Sequence, residues 1–485
     1  MVLSIAIDPY MVDGLGRSEA AVLTELLDVY SWHKQKNEEK DRYYEGHIPL
    51  SEVNLGLALP EGMRKLEIGC SWGAKTVDVL AARSMFDGFV DSNGAEVEQL
   101  AEIVSGNRLI AEYAKACRDE LKFGCTFATL SADPVTSCKI RFHSPQSAAA
   151  AWNGEQGRIG AGFAVIDSVP DESMAGTWTP SIINLYVDDA IWVLTKIGSG
   201  WAAIRHPHRM GRPLMEPMIW NATSNKPFGQ SRLKSSIRSK IQSYVRTVAN
   251  ATIGLEFATT PQKYLLGITD AQYDALIDAK FKQYVGSVLL GTTNPETGEK
   301  PSFGQLPQGS ITPHIEMMRL LATQFSADTG LPVTDTGVVN DANPSSSDAI
   351  EAQTKTLVGL AQDLNVANGD ALRVIALMAQ AIAAKTTIDG LPDSQKGIVA
   401  HFKNPAMPSV AVTADAAIKI ASVRPEFAQT DVFMEMIGFD QADIRRIKAQ
   451  ERRARGMQLI TEEAAAPEEQ PEQTAQEQPE QIQQE

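Results

Sequence analysis

Few side chains in this 485-residue chain are spaced for catalysis or ligation. Gly69-Cys70-Ser71-Trp72-Gly73-Ala74-Lys75-Thr76 comes nearest to a phosphate loop. Such a loop needs lysine directly after the second glycine, so that backbone amides and the ammonium converge on one phosphate. Ala74 intervenes, and the stretch reads as a helix start. Gly157-x-x-Gly160-x-Gly162 has the wrong order for a dinucleotide fingerprint and reads as turn glycines between strands. His206 and His208 flank Pro207, but a metal site needs a third ligand and none is near in sequence. They read as solvated loop histidines. Asp188 and Asp189 are adjacent, so in a strand they face opposite sides. No G-x-S-x-G elbow and no H-E-x-x-H is present. Cys70, Cys117, Cys125 and Cys138 make no C-x-x-C and read as reduced core thiols. We expect neither catalysis, nor a metal, nor a cofactor.

Composition bounds the rest. With 43% hydrophobic and 21% charged residues the chain is a folded one, and its length suits roughly three domains of ~150 residues. No run approaches the ~18 to 20 apolar residues that span a bilayer, and Met1 to Pro9 lacks the basic and apolar regions of a secretion signal. A cytosol-like site of synthesis is expected. The net charge is −16, but residues 462–485 carry eight glutamates and no Lys or Arg, which leaves −8 for residues 1–461. A mildly acidic body does not coat DNA non-specifically, because neutralising phosphates takes a basic surface.

The elements follow from periodicity. Ala21, Leu23, Leu26, Leu27 and Tyr30 mark a helix from Ser18, stopped by Gly46 and Pro49. Ser71 to Ser84 and Leu109 to Leu121 read as helices, with a strand at Phe86 to Val90 between them. Arg141 to His143, Gly160 to Val169, Ile182 to Tyr186, Ile191 to Ile197 and Trp201 to Arg205 read as strands, the last two joined by a Gly198-Ser199-Gly200 turn. The proline-rich stretch His206 to Pro217 is expected to break the sheet. From Ser231 the period becomes helical, with Leu233, Ile237, Ile241, Tyr244, Val245 and Val248 on one face. Arg232, Lys234, Arg238, Lys240 and Arg246 lie opposite, as a solvated face or as phosphate contacts. After a turn-rich interval, a second helix carries Ile311, Ile315, Met318, Ala322 and Phe325 in one stripe and stops at Thr329-Gly330-Leu331-Pro332. Val333 to Ser345 reads as a loop without structure of its own, of a length that is usually functional. A very long helix from Ser346 to about Ala384 follows, then an α-rich module to about Ile460. Its last helix starts at Asp440 and carries an Arg445 to Arg455 run interleaved with Asp443 and Glu451, which reads as an exposed, ion-paired face. Residues 462–485, Glu, Gln, Pro and Ala, are expected to be disordered and solubilising.

The order of these parts resembles the portal proteins of tailed double-stranded-DNA bacteriophages, of the siphovirus type. The pieces that carry the resemblance are Arg42-Tyr43-Tyr44-Glu45-Gly46, the Trp192…Trp201 hairpin running into His208-Arg209-Met210-Gly211-Arg212-Pro213, and Pro227-Phe228-Gly229-Gln230-Ser231 opening a helix. Thr329-Gly330-Leu331-Pro332 closing a helix, and Asn343-Pro344-Ser345-Ser346-Ser347-Asp348-Ala349-Ile350 starting the long one, complete the set. The acidic tail lies outside the pattern.

The resemblance implies an α+β portal fold, mainly helical with a β-rich wing, twelve copies closing a ring. Wing (1–230), stem helix 1 (231–256), clip (257–310), stem helix 2 (311–330), tunnel loop (331–345), long helix (346–389), crown (390–461) and tail (462–485) would follow in order. It implies that Asp335, Val338, Val339, Asn340, Asp341 and Asn343 face DNA in the tunnel loop. Lys234, Arg238, Lys240 and Arg246 would line the channel, and Asn294, Glu296, Glu299 and Lys300 would dock partners. The implied partners are further copies of the chain, the large subunit of the packaging terminase, head-completion or adaptor proteins, the major capsid protein and the passing double-stranded DNA, with no membrane and no cofactor. The implied place is one vertex of the virion capsid, after assembly in the host bacterial cytoplasm. The 331–345 loop has no Lys or Arg, which suits a conduit, since each such contact adds a salt-dependent affinity for phosphate. A minor capsid or scaffold protein, and an enzyme with a dispersed site, are the competing classes.

Overall fold

The computed structural model describes residues 2–48, 68–91, 97–171, 174–259, 263–267, 293, 298, 300, 302–305, 310–338, 347–406, 410–439 and 441–465. The chain is mixed α and β and divides into two compact units, Met1–Ala406 and Met407–Glu485.

The first unit opens with strand β1 (Val2–Leu3) and helix α1 (Arg17–Glu45). No glycine or proline interrupts α1, and it ends where Gly46 takes φ 76°, its N–H bonded to the Arg42 carbonyl. Helix α2 (Trp72–Ala81), strand β2 (Phe86–Val90), and helices α3 (Glu98–Gly106) and α4 (Leu109–Phe123) follow. Then come eight strands: β3 (Cys125–Asp133), β4 (Ser137–His143), β5 (Ala148–Asn153), β6 (Arg158–Pro170), β7 (Thr177–Tyr186), β8 (Ala190–Ile197), β9 (Gly200–Pro207) and β10 (Met215–Ile219).

These strands make two sheets. β5 to β9 form an antiparallel meander, and β1 joins it parallel to β7. Phe163 sits opposite Leu185 and Ile183 opposite Leu194, so one face presents four large apolar side chains, all fully buried. Helix α1 lays Leu23, Leu26 and Tyr30, at helical spacing, onto that core. The second sheet has the order β10-β3-β4 and supports the other core. β3 is buried continuously from Cys125 to Leu130 and shows no alternation.

The remaining elements of this unit are helix α5 (Ser235–Thr259), strands β11 (Lys263–Leu266) and β12 (Ser302–Gln305), helix α6 (Thr312–Thr329), helix α7 (Ser347–Ala383) and strand β13 (Val399–Phe402), which pairs with β2. Residues 390–406, expected with the C-terminal module, therefore belong to the first unit. The second unit holds α8 (Val410–Val423), α9 (Asp431–Ile437) and α10 (Gln441–Ala465). Thr430 caps α9 by accepting from the Phe433 amide at 3.3 Å, and Lys448 pairs with Asp431 at 2.6 Å. In the basic run, Arg446 pairs with Asp443 at 3.3 Å. The acidic tail begins as helix up to Ala465, and residues 466–485 lie outside the described residues.

Three expectations change. Met215–Ile219 is a strand although Pro217 stands in it. β10 pairs on one side only, where a missing N–H is tolerated. Of the three glycines near 160, only Gly157 is a turn residue, with φ 63°; Gly160 and Gly162 lie within β6. Third, Ala352–Ala383 is long and apolar enough, by length and composition, to cross a bilayer. In the structure it is a core helix: Leu357, Ala361, Leu364, Asn368, Leu372 and Ile375 are 0% exposed.

Close approach of α2 to the end of α1 depends on Gly73, where any Cβ would collide with the Tyr43 carbonyl oxygen. Gly73→Ala should therefore cost about 1–3 kcal/mol and lower the thermal unfolding midpoint. Gly154→Ala, which meets nothing within 4 Å, should leave the midpoint in place in the same scan.

Candidate functional site

The feature that singles out this chain is the α5–α6 pair. Its helices run antiparallel, because the start of α5 meets the end of α6 while their other ends lead into the two-stranded ribbon β11–β12. Of the predicted α5 stripe, Leu233, Ile237, Ile241 and Val245 are buried and Tyr244 and Val248 are half-buried. The α6 stripe divides. Of the predicted residues Ala322 and Phe325 are buried, Ile311 and Met318 half-buried and Ile315 44% exposed; off the stripe, Leu321 is buried while Met317 and Leu320 are 41% and 51% exposed.

The root of the pair is tied by hydrogen bonds to three elements. Ser231 accepts from the Leu233 amide at 2.9 Å and donates to the Lys122 carbonyl at 2.5 Å, so the start of α5 hangs from the end of α4. Arg232, expected on the solvated basic face, is 8% exposed instead. Its backbone N–H bonds Leu121 O at 2.9 Å. Its guanidinium donates from Nε to Thr76 O and from a terminal nitrogen to Thr329 O, both at 2.7 Å. Burial pushes this guanidinium down to about 10. Arg232 precedes the first helical residue, Ser235, so a helical wheel misplaces it. Nearby, Trp72 packs between Tyr244 (4.3 Å) and Phe325 (4.6 Å) and donates its indole N–H to Thr336 O at 3.0 Å. Gly330, at φ 72°, turns the chain out of α6 with its N–H on Ser326 O.

The other expected site residues are placed as follows. Lys234 and Arg246 are exposed. Arg238 pairs with Glu39 at 3.5 Å and lies over the Tyr43 ring, and Lys240 pairs with Asp328. The loop after α6 opens with a short 3-10 turn, Val333–Thr336, rather than with unstructured chain. Asp335 is half-buried there, its carbonyl accepting from Lys75, and Val338 packs against the main core. Val339, Asn340, Asp341 and Asn343 lie outside the described residues, as do Asn294, Glu296 and Glu299; Lys300 is exposed.

The residues weighed for other chemistry have structural partners. Lys75 holds Asp335 O and Thr76 bonds Trp72 O at 2.8 Å, so the Gly69–Thr76 stretch is a helix start. His206 is exposed on β9, but His208 is half-buried: its Nδ1 accepts from the Met210 amide at 3.4 Å, and burial lowers its pKa. Asp189 pairs with Arg205 at 2.5 Å. All four cysteines are free and buried, which pushes Cys70 up to about 11 and Cys125 and Cys138 up to about 12, far from a reactive thiolate. Among the described residues no group of three His, Cys, Asp or Glu side chains is placed to hold a metal.

No protein-family model and no curated protein matches the sequence. Solved structures with a similar chain include the virion of a native gene transfer agent particle, at 12% identity and TM-score 0.45, over 83% of this chain and 93% of that one. Others are the neck of the native particle computed with C12 symmetry (13%, TM-score 0.43, over 76% and 89%) and the neck of the empty particle computed with C6 symmetry (13%, TM-score 0.43, over 78% and 95%).

Replacing Arg232 by Met removes the guanidinium from the Thr329 carbonyl at the end of α6 and the second donor from the Thr76 carbonyl within α2, and should cost about 3 kcal/mol in denaturant unfolding. The exposed neighbour Lys234→Met should change stability by no more than about 0.5 kcal/mol in the same experiment.

Proposed function

We propose that this chain is a portal-type structural protein, a subunit of a ring of about twelve copies whose shared central channel passes double-stranded DNA. One observation carries the reading. The α5–α6 pair is firmly rooted but its far half is not buried by its own chain. From Thr312 to Leu320 no residue of α6 is buried, and Leu255, Ile315, Met317 and Leu320 stand exposed. The ribbon beyond adds Tyr264, Leu266 and Phe303, each at least 43% exposed, on two strands whose outer edges have no partner among the described residues. A two-stranded ribbon and half a helical pair are marginal alone. Copies standing side by side bury such a surface, and a head-to-tail contact that closes makes a ring.

The charges on α5 support a conduit. Of the five cations, Arg232 is buried and Arg238 and Lys240 are engaged by carboxylates, so Lys234 and Arg246 remain exposed. A surface that lets a duplex slide must hold phosphates weakly. In this reading the stretch beyond Val338 faces the DNA, the ribbon region meets the packaging ATPase and then the head-completion proteins, and the energy for DNA movement comes from that ATPase.

Mass measurement on the purified chain tests this. Twelve copies of a 52.6 kDa chain give a species of about 630 kDa. Ile315→Asp with Leu320→Asp should release folded 52.6 kDa monomers, since charges replace two exposed apolar side chains of the far half and the root is untouched. A wild-type chain that stays monomeric at capsid-like salt defeats the proposal. Removing residues 339–345, which spares the Asp335 and Thr336 carbonyls that hold Lys75 and Trp72, should leave the ring intact while DNA packaging or retention fails. Normal packaging by that variant would refute the assignment of the loop.

A further inference from the structure

The contact between α4 and the long helix α7 encloses an acid. Glu120 on α4 and Asn368 in mid-α7 are both 0% exposed. Asn368 Nδ2 donates to Glu120 Oε2 at 2.8 Å and to the Tyr113 hydroxyl at 3.1 Å. That hydroxyl meets Ser84 Oγ at 2.6 Å, and Ser84 donates to Asn365 Oδ1 at 2.6 Å. Two buried oxygens of the cluster have no partner: Glu120 Oε1 and Asn368 Oδ1. Both can only accept while the carboxyl is ionised, so a carboxylate cannot satisfy the pair. A single proton does. A neutral carboxyl donates to the amide oxygen while the amide nitrogen donates to the other carboxyl oxygen, the reciprocal pairing of an acid with a primary amide.

The surroundings offer an anion no compensation. The titratable groups facing Glu120 are Tyr113 and Cys117 on α4 and Cys125 on β3, each itself made harder to ionise by burial. From α7 come the neutral Asn365 and Asn368, and after α2 the neutral Ser84. Asp363, Asp370 and Arg373 lie on the exposed face of α7. Lys40 on α1 faces Cys125, and Arg118 on α4 pairs with Asp78 at 3.4 Å.

We propose that Glu120 is a proton-operated latch on the long helix: protonated, it ties α4 to α7 through Asn368; ionised, it must leave that contact or carry an uncompensated charge in the core. Burial drives this carboxyl up from 4.5 to about 8. The folded chain then holds a proton that the unfolded chain releases. The latch's contribution to stability is whole below about pH 4.5, falls about tenfold in the folding constant per pH unit above that, and is spent near pH 8.

Difference infrared spectroscopy of the full-length protein reads the proton directly. Asp119 and Glu216 are raised as well, to about 6 and about 7, so the protonated-carboxyl band should fall in steps, and the last step, between about pH 7 and 9, belongs to Glu120. Loss of the whole band by about pH 7 overturns the proposal, even if no variant folds. Glu120→Gln, which keeps the shape and cannot ionise, should lack that last step. Its α7 amides should exchange hydrogen at a pH-independent rate after correction for chemistry, whereas the wild-type α7 amides open as pH rises through about 8. Equal opening in the two proteins would also refute the latch.

Discussion

A buried guanidinium with no carboxylate paired to it among the described residues holds this architecture at its joint. Arg232 reaches two backbone carbonyls at once, one in α2 and one at the end of α6, while its own backbone N–H is fixed to the end of α4. Carbonyls at helix ends carry the partial negative charge of the dipole, and Thr329 O is such a group. The planar fork spans acceptors on two elements, which an ammonium on a flexible stem does not do with the same geometry. Everything that positions the helical pair follows: the Trp72 ring between Tyr244 and Phe325, the Ser231 link to α4, and the 3-10 turn fastened by Trp72 and Lys75. The joint therefore sets the angle of the α5–α6 pair and the point from which the chain beyond Val338 departs.

Against that joint, the far half of the pair reads as an unfinished surface. Core contacts run from Leu233 to Ala251 along α5 and from Leu321 to Thr329 along α6, and the exposed apolar side chains collect beyond them. Scattered exposed leucines need no explanation, whereas seven exposed large apolar side chains on the far ends of two helices and the ribbon do. The polar groups point the same way. Two of the α5 cations are held by Glu39 of α1 and Asp328 of α6, contacts that take positive charge off the surface of the pair.

What the sequence made legible, and what it hid, divides along physical lines. Helices α1, α5, α6 and α7 and the β7–β8–β9 meander show in the sequence because one face of each is apolar and the other is not, or because glycine marks the turn. β3 is hidden because it is covered on both faces, and Cys-Thr-Phe-Ala-Thr-Leu has no period to read. β10 is hidden by Pro217, whose cost vanishes on an edge. Among site residues, Lys234 and Arg246 stand on the surface their spacing predicts. Arg232 does not, because periodicity speaks only of residues inside the helix and this one lies in the turn before it. Its neighbours Ser231 and Leu233, a turn-forming side chain and a core anchor, were the available signal.

The long helix poses a separate problem of register. Apolar enough to suit a bilayer, α7 packs on α2, α3, β3, β4, β10 and β13, and such a surface specifies position poorly when one leucine can replace another. A slip of about one turn brings Leu364 or Leu372 to the place of Asn368, since both stand four residues away on the same buried face. Either would leave Glu120 and the Tyr113 hydroxyl without the amide that both now use, at a cost of two buried hydrogen bonds against a nearly neutral exchange of aliphatic contacts. Asn368, with Asn365 one turn away on Ser84, thus favours a single register, the use for which buried polar groups are best attested. The contact proposed to sense a proton also opposes sliding of α7, and both properties have one physical origin: a buried acid and a buried amide that meet in a largely apolar interface.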